Sequence, residues 1–327
     1  APGGASALGT AVDRCAAIEA ADARLACYDE LGRARREGAA ASAGSPPGPT
    51  GPSRGAAPDA REAPDDGASY VERRWDLDDA ASRGAFALLP DEANYLMPAT
   101  YNFRPNQRPF PPQILDVKPV EAKFQVSFKL KLADRPFGLP GDVWLNYTQK
   151  SFWQVYAGDQ SSPFRETNYN PGLSWAIPTQ GEALGLRWRA LAFTVDHESN
   201  GRGAGLTRSW NRLAATAVVE RGPFVGVVSG WVTQGTDDNP EITDYLGYGR
   251  VKLGWHRGGH ALSLTVRNPF DFDDGRLGAE AAWTFPLPFT KRVQGYLQWD
   301  YGYGESLLDY DVIGNRVGLG FALGSAL

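Results

Sequence analysis

His197 and Ser199 stand two positions apart at the end of the run LAFTVDHESNGR, and Asn211 follows in SWNRLAATAVVE. A hydroxyl, an imidazole and a carboxamide are the parts of a nucleophile, its general base and the group that orients the base. Taken singly they mean little, because His, Ser and Asn are ordinary at strand ends, turns and caps. They gain meaning if one surface holds all three. Side chains alternate faces along a strand, so His197 and Ser199 share a face with Leu191, Phe193 and Val195. On the next segment Asn211 shares parity with Leu213, Ala215, Ala217 and Val219. Both apolar sets mark the side turned away from a polar interior. Adjacent strands would then carry all three groups outward at one depth.

Gln149 poses a related problem. It shares parity with Val143, Leu145, Tyr147, Trp153 and Val155, which puts an amide in an apolar row. Such an amide needs a partner. A second copy of the chain across a two-fold axis would supply one, and a lipid headgroup is the other candidate.

The elements that must position these residues are strands. From about residue 94 the chain reads as twelve alternating segments: 94–101, 124–132, 143–156, 166–178, 184–198, 209–221, 224–235, 244–257, 260–269, 275–287, 291–301 and 315–327. Short links such as Gly222-Pro223 and Gly258-Gly259 alternate with longer ones at 157–165, 199–208, 236–243 and 302–314. Sorted loops and an even strand count predict an all-β, twelve-stranded antiparallel transmembrane β-barrel, with tight periplasmic turns and long external loops. On that reading strand 184–198 runs outward, and its His–Ser pair lies at the outer leaflet. Of the 38 aromatic residues only Tyr28 precedes residue 69, which suits interfacial anchoring of the barrel by Trp and Tyr. Inward parity falls on Arg212, Glu220, Lys252 and Arg292, which are expected to pair across the lumen. His256 and His260 flank a tight turn and are expected to be solvated.

Composition narrows the class further. No run approaches the ~18 apolar residues of a spanning helix, and a net charge of −5 excludes a nucleic-acid footprint. Residues 1–38 read as a helical periplasmic appendage and 39–68 as a disordered Pro/Gly/Ala-rich linker, leaving 69–327 for the barrel. Cys15 and Cys27 would lie about 18 Å apart on one straight helix. A disulfide therefore needs a helical hairpin turning near Ala20–Ala21; two free thiols are the alternative. No leader opens the sequence, and Ala1 is read as the start of a mature chain.

The stretch His197-Glu198-Ser199-Asn200-Gly201-Arg202 followed by Ser209-Trp210-Asn211-Arg212 resembles the signature of the outer-membrane phospholipase A family. So do Tyr147–Ser151, SSPFRETNY from Ser161, TDDNP from Thr236 and YGYGESLLDY from Tyr301, in order across roughly residues 90–327. The resemblance implies a homodimeric, calcium-dependent lipase of the bacterial outer membrane that cleaves phospholipids and lysophospholipids. It implies Ser199, His197 and Asn211 as the triad and the Gly201 amide as oxyanion donor. The Ca2+ ligands it implies are the Arg202 carbonyl, Thr207 in place of the usual Ser, Ser161 of the second subunit and, less firmly because Ala204 replaces an Asp, Asp238. Gln149 is placed at the dimer interface, and the site faces the outer leaflet. The competing readings are a passive pore, which would need no triad on the lipid side, and an outer-membrane protease, whose acidic and His residues would face inward.

Overall fold

The computed structural model describes residues 69–77, 82–203, 205–268 and 275–325, together with positions 14–18, 20, 23, 24, 26, 27 and 30. The chain divides into two units, 1–57 and 58–327. In the first, Cys15 and Cys27 form a disulfide with Cα atoms 5.6 Å apart, and residues 14–16 and 26–27 are helical. The predicted linker at 39–68 lies outside the described residues.

In the second unit twelve antiparallel strands close on themselves: β1 (Asn94–Asn102), β2 (Val120–Asp134), β3 (Asp142–Trp153), β4 (Phe164–Pro178), β5 (Leu186–Ser199), β6 (Ser209–Arg221), β7 (Phe224–Gln234), β8 (Gly249–Arg257), β9 (His260–Arg267), β10 (Gly278–Leu287), β11 (Thr290–Gly302) and β12 (Gly314–Leu323). Each pairs with its chain neighbour, and β12 pairs back onto β1. Two short strands, Leu88–Pro90 and Glu182–Ala183, add to β2 and β5. Closure gives each of the twelve strands a neighbour on both sides, the condition for crossing hydrocarbon with strands. Outward positions such as Leu191, Phe193, Val195 and Leu213 are exposed and apolar.

The lumen is charged and filled. On β2 the inward set Glu121, Lys123, Lys129 and Lys131 is almost fully buried. Burying an ion costs several kcal/mol unless it is paired; Glu121, Lys123 and Lys131 are closely paired, whereas Lys129 has Asp91 only at 3.9 Å and lies 4.0 Å from the Trp75 ring centroid. Lys123 meets Glu305 at 2.9 Å and Asp300 at 3.4 Å, while Arg316 and Arg165 share Glu121. Lys131 bridges Asp76 and Asp142. Inward parity is met by three of its four predicted charges. Arg212 pairs with Asp196 and Glu198, Glu220 with Arg189, and Lys252 with Glu92. Arg292 instead stays exposed, because the β10–β11 register shifts between Pro286 and Leu287 and its segment leaves the ladder.

Further elements occupy both ends of the barrel. At the long-loop end Leu307 and Leu308 are buried, with their amides donating to Asn168 and Glu166 of β4. At the tight-turn end a six-residue helix, α1 (Tyr70–Trp75), enters the lumen. Ser69 and Glu72 form its capping box, which satisfies two end amides. Val71 packs against inward Ala190, Val218 and Val225, and Arg189 bonds Glu72 and Glu220 at 2.8 Å each. Behind it Glu92 sits between Lys252 and Arg250, at 3.1 and 3.2 Å. Burial would raise the Glu92 carboxyl, but those two cations outweigh it and hold it well below the usual carboxylate range. A cavity of about 340 Å³ remains between helix and loops.

Neither turn histidine is simply solvated. His256 points inward and stacks on Tyr70 with ring centroids 4.4 Å apart. His260 accepts from the Trp283 indole at 3.3 Å on the outer wall.

Candidate active site

β5 extends through Ser199 and pairs with β6 so that His197 faces Asn211 and Ser199 faces Ser209. The intervening residues point the other way. Glu198 accepts from the Trp210 indole and pairs with Arg212 inside the barrel, so the carboxylate between His197 and Ser199 is not on their face. His197 and Asn211 are exposed on the outer wall above Val195 and Leu213.

His197 Nδ1 and Asn211 Oδ1 are 2.8 Å apart. The Asn211 Nδ2 donates to the Gln234 carbonyl at 3.3 Å, which can only accept. That bond fixes the amide with its oxygen toward the ring, so Nδ1 must be the nitrogen that carries the proton. Nε2 keeps its lone pair and can act as a base. Gly235, at φ +66°, passes so close that a Cβ there would lie 2.8 Å from the Asn211 amide nitrogen.

The loop 200–208 follows Ser199. Gly201 has φ +61°, and a Cβ on it would approach the Tyr169 ring at 3.3 Å. Thr207 Oγ1 donates to the Arg202 carbonyl at 2.8 Å, so the two predicted ligand oxygens of this loop converge. The Arg202 guanidinium reaches the carbonyls of Phe164 and Arg165 at 2.8 and 2.5 Å. The other two predicted ligands are not joined to this pair by hydrogen bonds. Ser161 ends a short helical turn in the 154–163 connection, with φ +61°. Asp238 accepts from the Ser209 hydroxyl at 3.1 Å.

Gln149 faces outward in the same cross-strand row as Ser199. Gln149 pairs with Tyr169, and Tyr169 with Ser199. Its Oε1 accepts from the Tyr147 hydroxyl at 3.0 Å and its Nε2 donates to Ser151 Oγ at 3.2 Å. Each amide atom thus retains one further hydrogen-bonding position. Two contributors were not legible from the residues alone. Tyr169 walls the site between Gln149 and Ser199, and Asn239, 1% exposed, takes the Ser209 amide at 2.8 Å. Both lie in the quoted family stretches, but only the strand register assigns them a place.

A closed barrel with an apolar outer wall and a charged lumen is the architecture of an outer-membrane protein. A Phospholipase A1 family model matches residues 71–323, and the chain belongs to that family, which makes it an outer-membrane phospholipase. The phospholipase A1 of Escherichia coli K12 is 37% identical over 250 residues, covering 73% of this chain and 82% of its own length. A putative phospholipase A1 of Neisseria meningitidis is 37% identical over 263 residues, covering 75% and 68%. Among solved structures, the Salmonella typhi outer-membrane phospholipase dimer with bound calcium superposes with a TM-score of 0.69 at 37% identity, over 74% of this chain and 94% of that one.

Proposed function

We propose that the chain is a calcium-dependent hydrolase of phospholipid and lysophospholipid acyl esters that works on the outer wall of its own barrel as a homodimer. The observation that carries this reading is the outward His197–Asn211 hydrogen bond at 2.8 Å with Ser199 on the same face. His197 Nε2 takes the Ser199 proton as Oγ attacks the ester carbonyl carbon. Asn211 holds the protonated Nδ1, stabilising the imidazolium less than a carboxylate would. The ring then hands its proton to the departing alcohol oxygen. Water, deprotonated by the same nitrogen, releases the fatty acid from Ser199. The Gly201 amide is the donor for the carbonyl oxygen, a contribution typically of about 10²–10³ in rate. The acyl chain would lie along Val195, Phe193 and Leu213.

The residues present suit calcium, a hard cation that takes oxygen ligands. The Arg202 carbonyl and the Thr207 hydroxyl already converge, and among the described residues no cluster of three or more His, Cys, Asp or Glu offers an alternative. Bound there, calcium would supply positive charge beside the developing oxyanion. Ser161 of the second subunit would complete the set, and Asp238, held by Ser209, is the weaker candidate. Gln149, in the row of Ser199, would pair across the two-fold axis, so that dimerisation completes the site. The long loops would face outside the cell and the N-terminal unit the periplasm. The filled lumen weighs against a passive pore.

The test is phospholipid hydrolysis by the detergent-solubilised protein, with and without chelator, for wild type and Ser199→Ala. Activity should need calcium and vanish in the variant. Retention of chelator-sensitive hydrolysis by Ser199→Ala would remove Ser199 from the mechanism.

A further inference from the structure

We infer that Asn200 is a positioning residue that preassembles the loop carrying both the Gly201 amide and the calcium-facing oxygens; this rests on the function proposed above. An Asn after a strand end is most often a turn residue that bonds the amide two positions on. Asn200 makes that bond, with its Oδ1 accepting from Arg202 N at 3.3 Å. It goes further, because the same oxygen accepts from Arg208 N at 3.0 Å and the Nδ2 donates to the Leu206 carbonyl at 2.8 Å. Its backbone amide adds a bond to the Arg208 carbonyl at 3.1 Å.

Asn200 is 4% exposed, so these are the partners that satisfy a buried carboxamide. It is the hub of the loop, tying position 200 to 202, 206 and 208 at once. The geometric result is that Thr207 Oγ1 and the Arg202 carbonyl are brought to 2.8 Å, with Gly201 held between Ser199 and Arg202. Arg202 anchors the outside of the same loop through the Phe164 and Arg165 carbonyls. The hub needs both the acceptor and the donor of a short carboxamide. An aliphatic side chain would orphan two N–H donors and a carbonyl acceptor, and Gln would carry the same amide one methylene too far. Asn200 therefore need not touch substrate or metal to govern both.

The experiment compares wild type, Asn200→Ala and Asn200→Gln as detergent-solubilised proteins. Calcium binding is measured by calorimetry, kcat and KM at saturating calcium, and barrel integrity by the heat-modifiable shift in gel mobility. Losing the hub's hydrogen bonds should weaken calcium binding and lower kcat by about ten- to a hundredfold each, with KM little changed and the gel shift intact. Gln should fail nearly as badly as Ala, since polarity without the right reach does not rebuild the loop. Wild-type calcium affinity and kcat in Asn200→Ala would overturn the inference. So would wild-type behaviour of Asn200→Gln, or failure of both variants to form the barrel, since the role would then not be local to the loop. If Ser199→Ala stays active the proposed function itself fails. If Ser199→Ala is inactive while Asn200→Ala is normal, only this inference does.

Discussion

Gly235 offers a way to disturb the His197–Asn211 pair without touching either residue. A Cβ at this position would stand 2.8 Å from Asn211 Nδ2, roughly 0.7 Å inside ordinary contact. The amide must swing away, and the bond it can lose toward the ring is the 2.8 Å link to Nδ1. That link is worth about 1 kcal/mol to the neutral imidazole and about 1.5–3 kcal/mol to the imidazolium formed in the transition state. The difference, ~0.5–2 kcal/mol, is added to the barrier and corresponds to a two- to thirtyfold fall in kcat/KM. The left-handed backbone at φ +66° adds about 1 kcal/mol of strain in Gly235→Ala, which falls on stability rather than on rate. Steady-state hydrolysis by wild type, Gly235→Ala, Asn211→Ala and the double variant separates these effects. If Gly235 acts through the Asn211 amide, Gly235→Ala should have almost no effect once Asn211 is alanine, so the coupling should equal nearly the whole single-variant loss. An equal slowing of both backgrounds would refute the reasoning.

Two other expectations concern the assembly and the lumen. Gln149→Ala should raise the dimer dissociation constant in detergent roughly eight- to thirtyfold, for two symmetric amide bonds worth ~0.6–1 kcal/mol each; sedimentation equilibrium reads this, and an unchanged constant would place Gln149 elsewhere. Glu92 is held below its unfolded value near 4.5, so its contribution is fully present above that pH and is lost as pH falls toward the folded value. Hydrogen exchange around 88–94 should therefore stay slow at pH 5 and quicken only in stronger acid. Glu92→Gln should lose that pH dependence, and an acid response identical to wild type would dismiss the Glu92–Lys252–Arg250 cluster as its source.

The strand pattern was legible because alternation is strong where one face meets hydrocarbon. All twelve segments occur, most with ends within a few residues of the expected ones. The exceptions have physical reasons. β2 begins at Val120 rather than 124 because Glu121 and Lys123 look like loop residues until their partners Arg165, Arg316 and Glu305 are in place. The eighth segment was expected from 244, but a helix, α2 (Ile242–Leu246), buries Ile242 and Leu246 against Trp210 and Leu307 before β8 begins. α1 is not among the elements expected from the sequence; its capping box joins Ser69 to Glu72, but its place in the lumen depends on Arg189 and Glu220 far along the chain. His256 was misplaced for the same reason, since its ring partner Tyr70 is distant in sequence. At the site, two-residue spacing and shared parity placed His197, Ser199 and Asn211 on one face. The convergence of Arg202 and Thr207 is not a matter of periodicity. It follows from loop hydrogen bonds that no repeat announces.

The ionic lumen and the outward site are two sides of one register. Strand parity is absolute: slipping β5 against β6 by one residue would separate His197 from Asn211, and turning either strand over would drive its site residues inside. Apolar alternation resists that slip only by the modest preference of Val195 or Leu213 for lipid. The inward positions resist it more strongly. Arg212 lies opposite Asp196, directly behind the His197–Asn211 pair, and bonds Asp196 at 2.6 Å and Glu198 at 3.2 Å, all three largely shielded from solvent. Breaking a buried cluster of this kind costs up to about 3–5 kcal/mol, because it leaves a largely shielded charge without its partner. Net stability is not what such pairs supply best, since apolar packing of the same volume often does as well. What they supply is a penalty against every neighbouring register, and a site whose geometry depends on two particular residues of adjacent strands facing each other needs that penalty at the same rung.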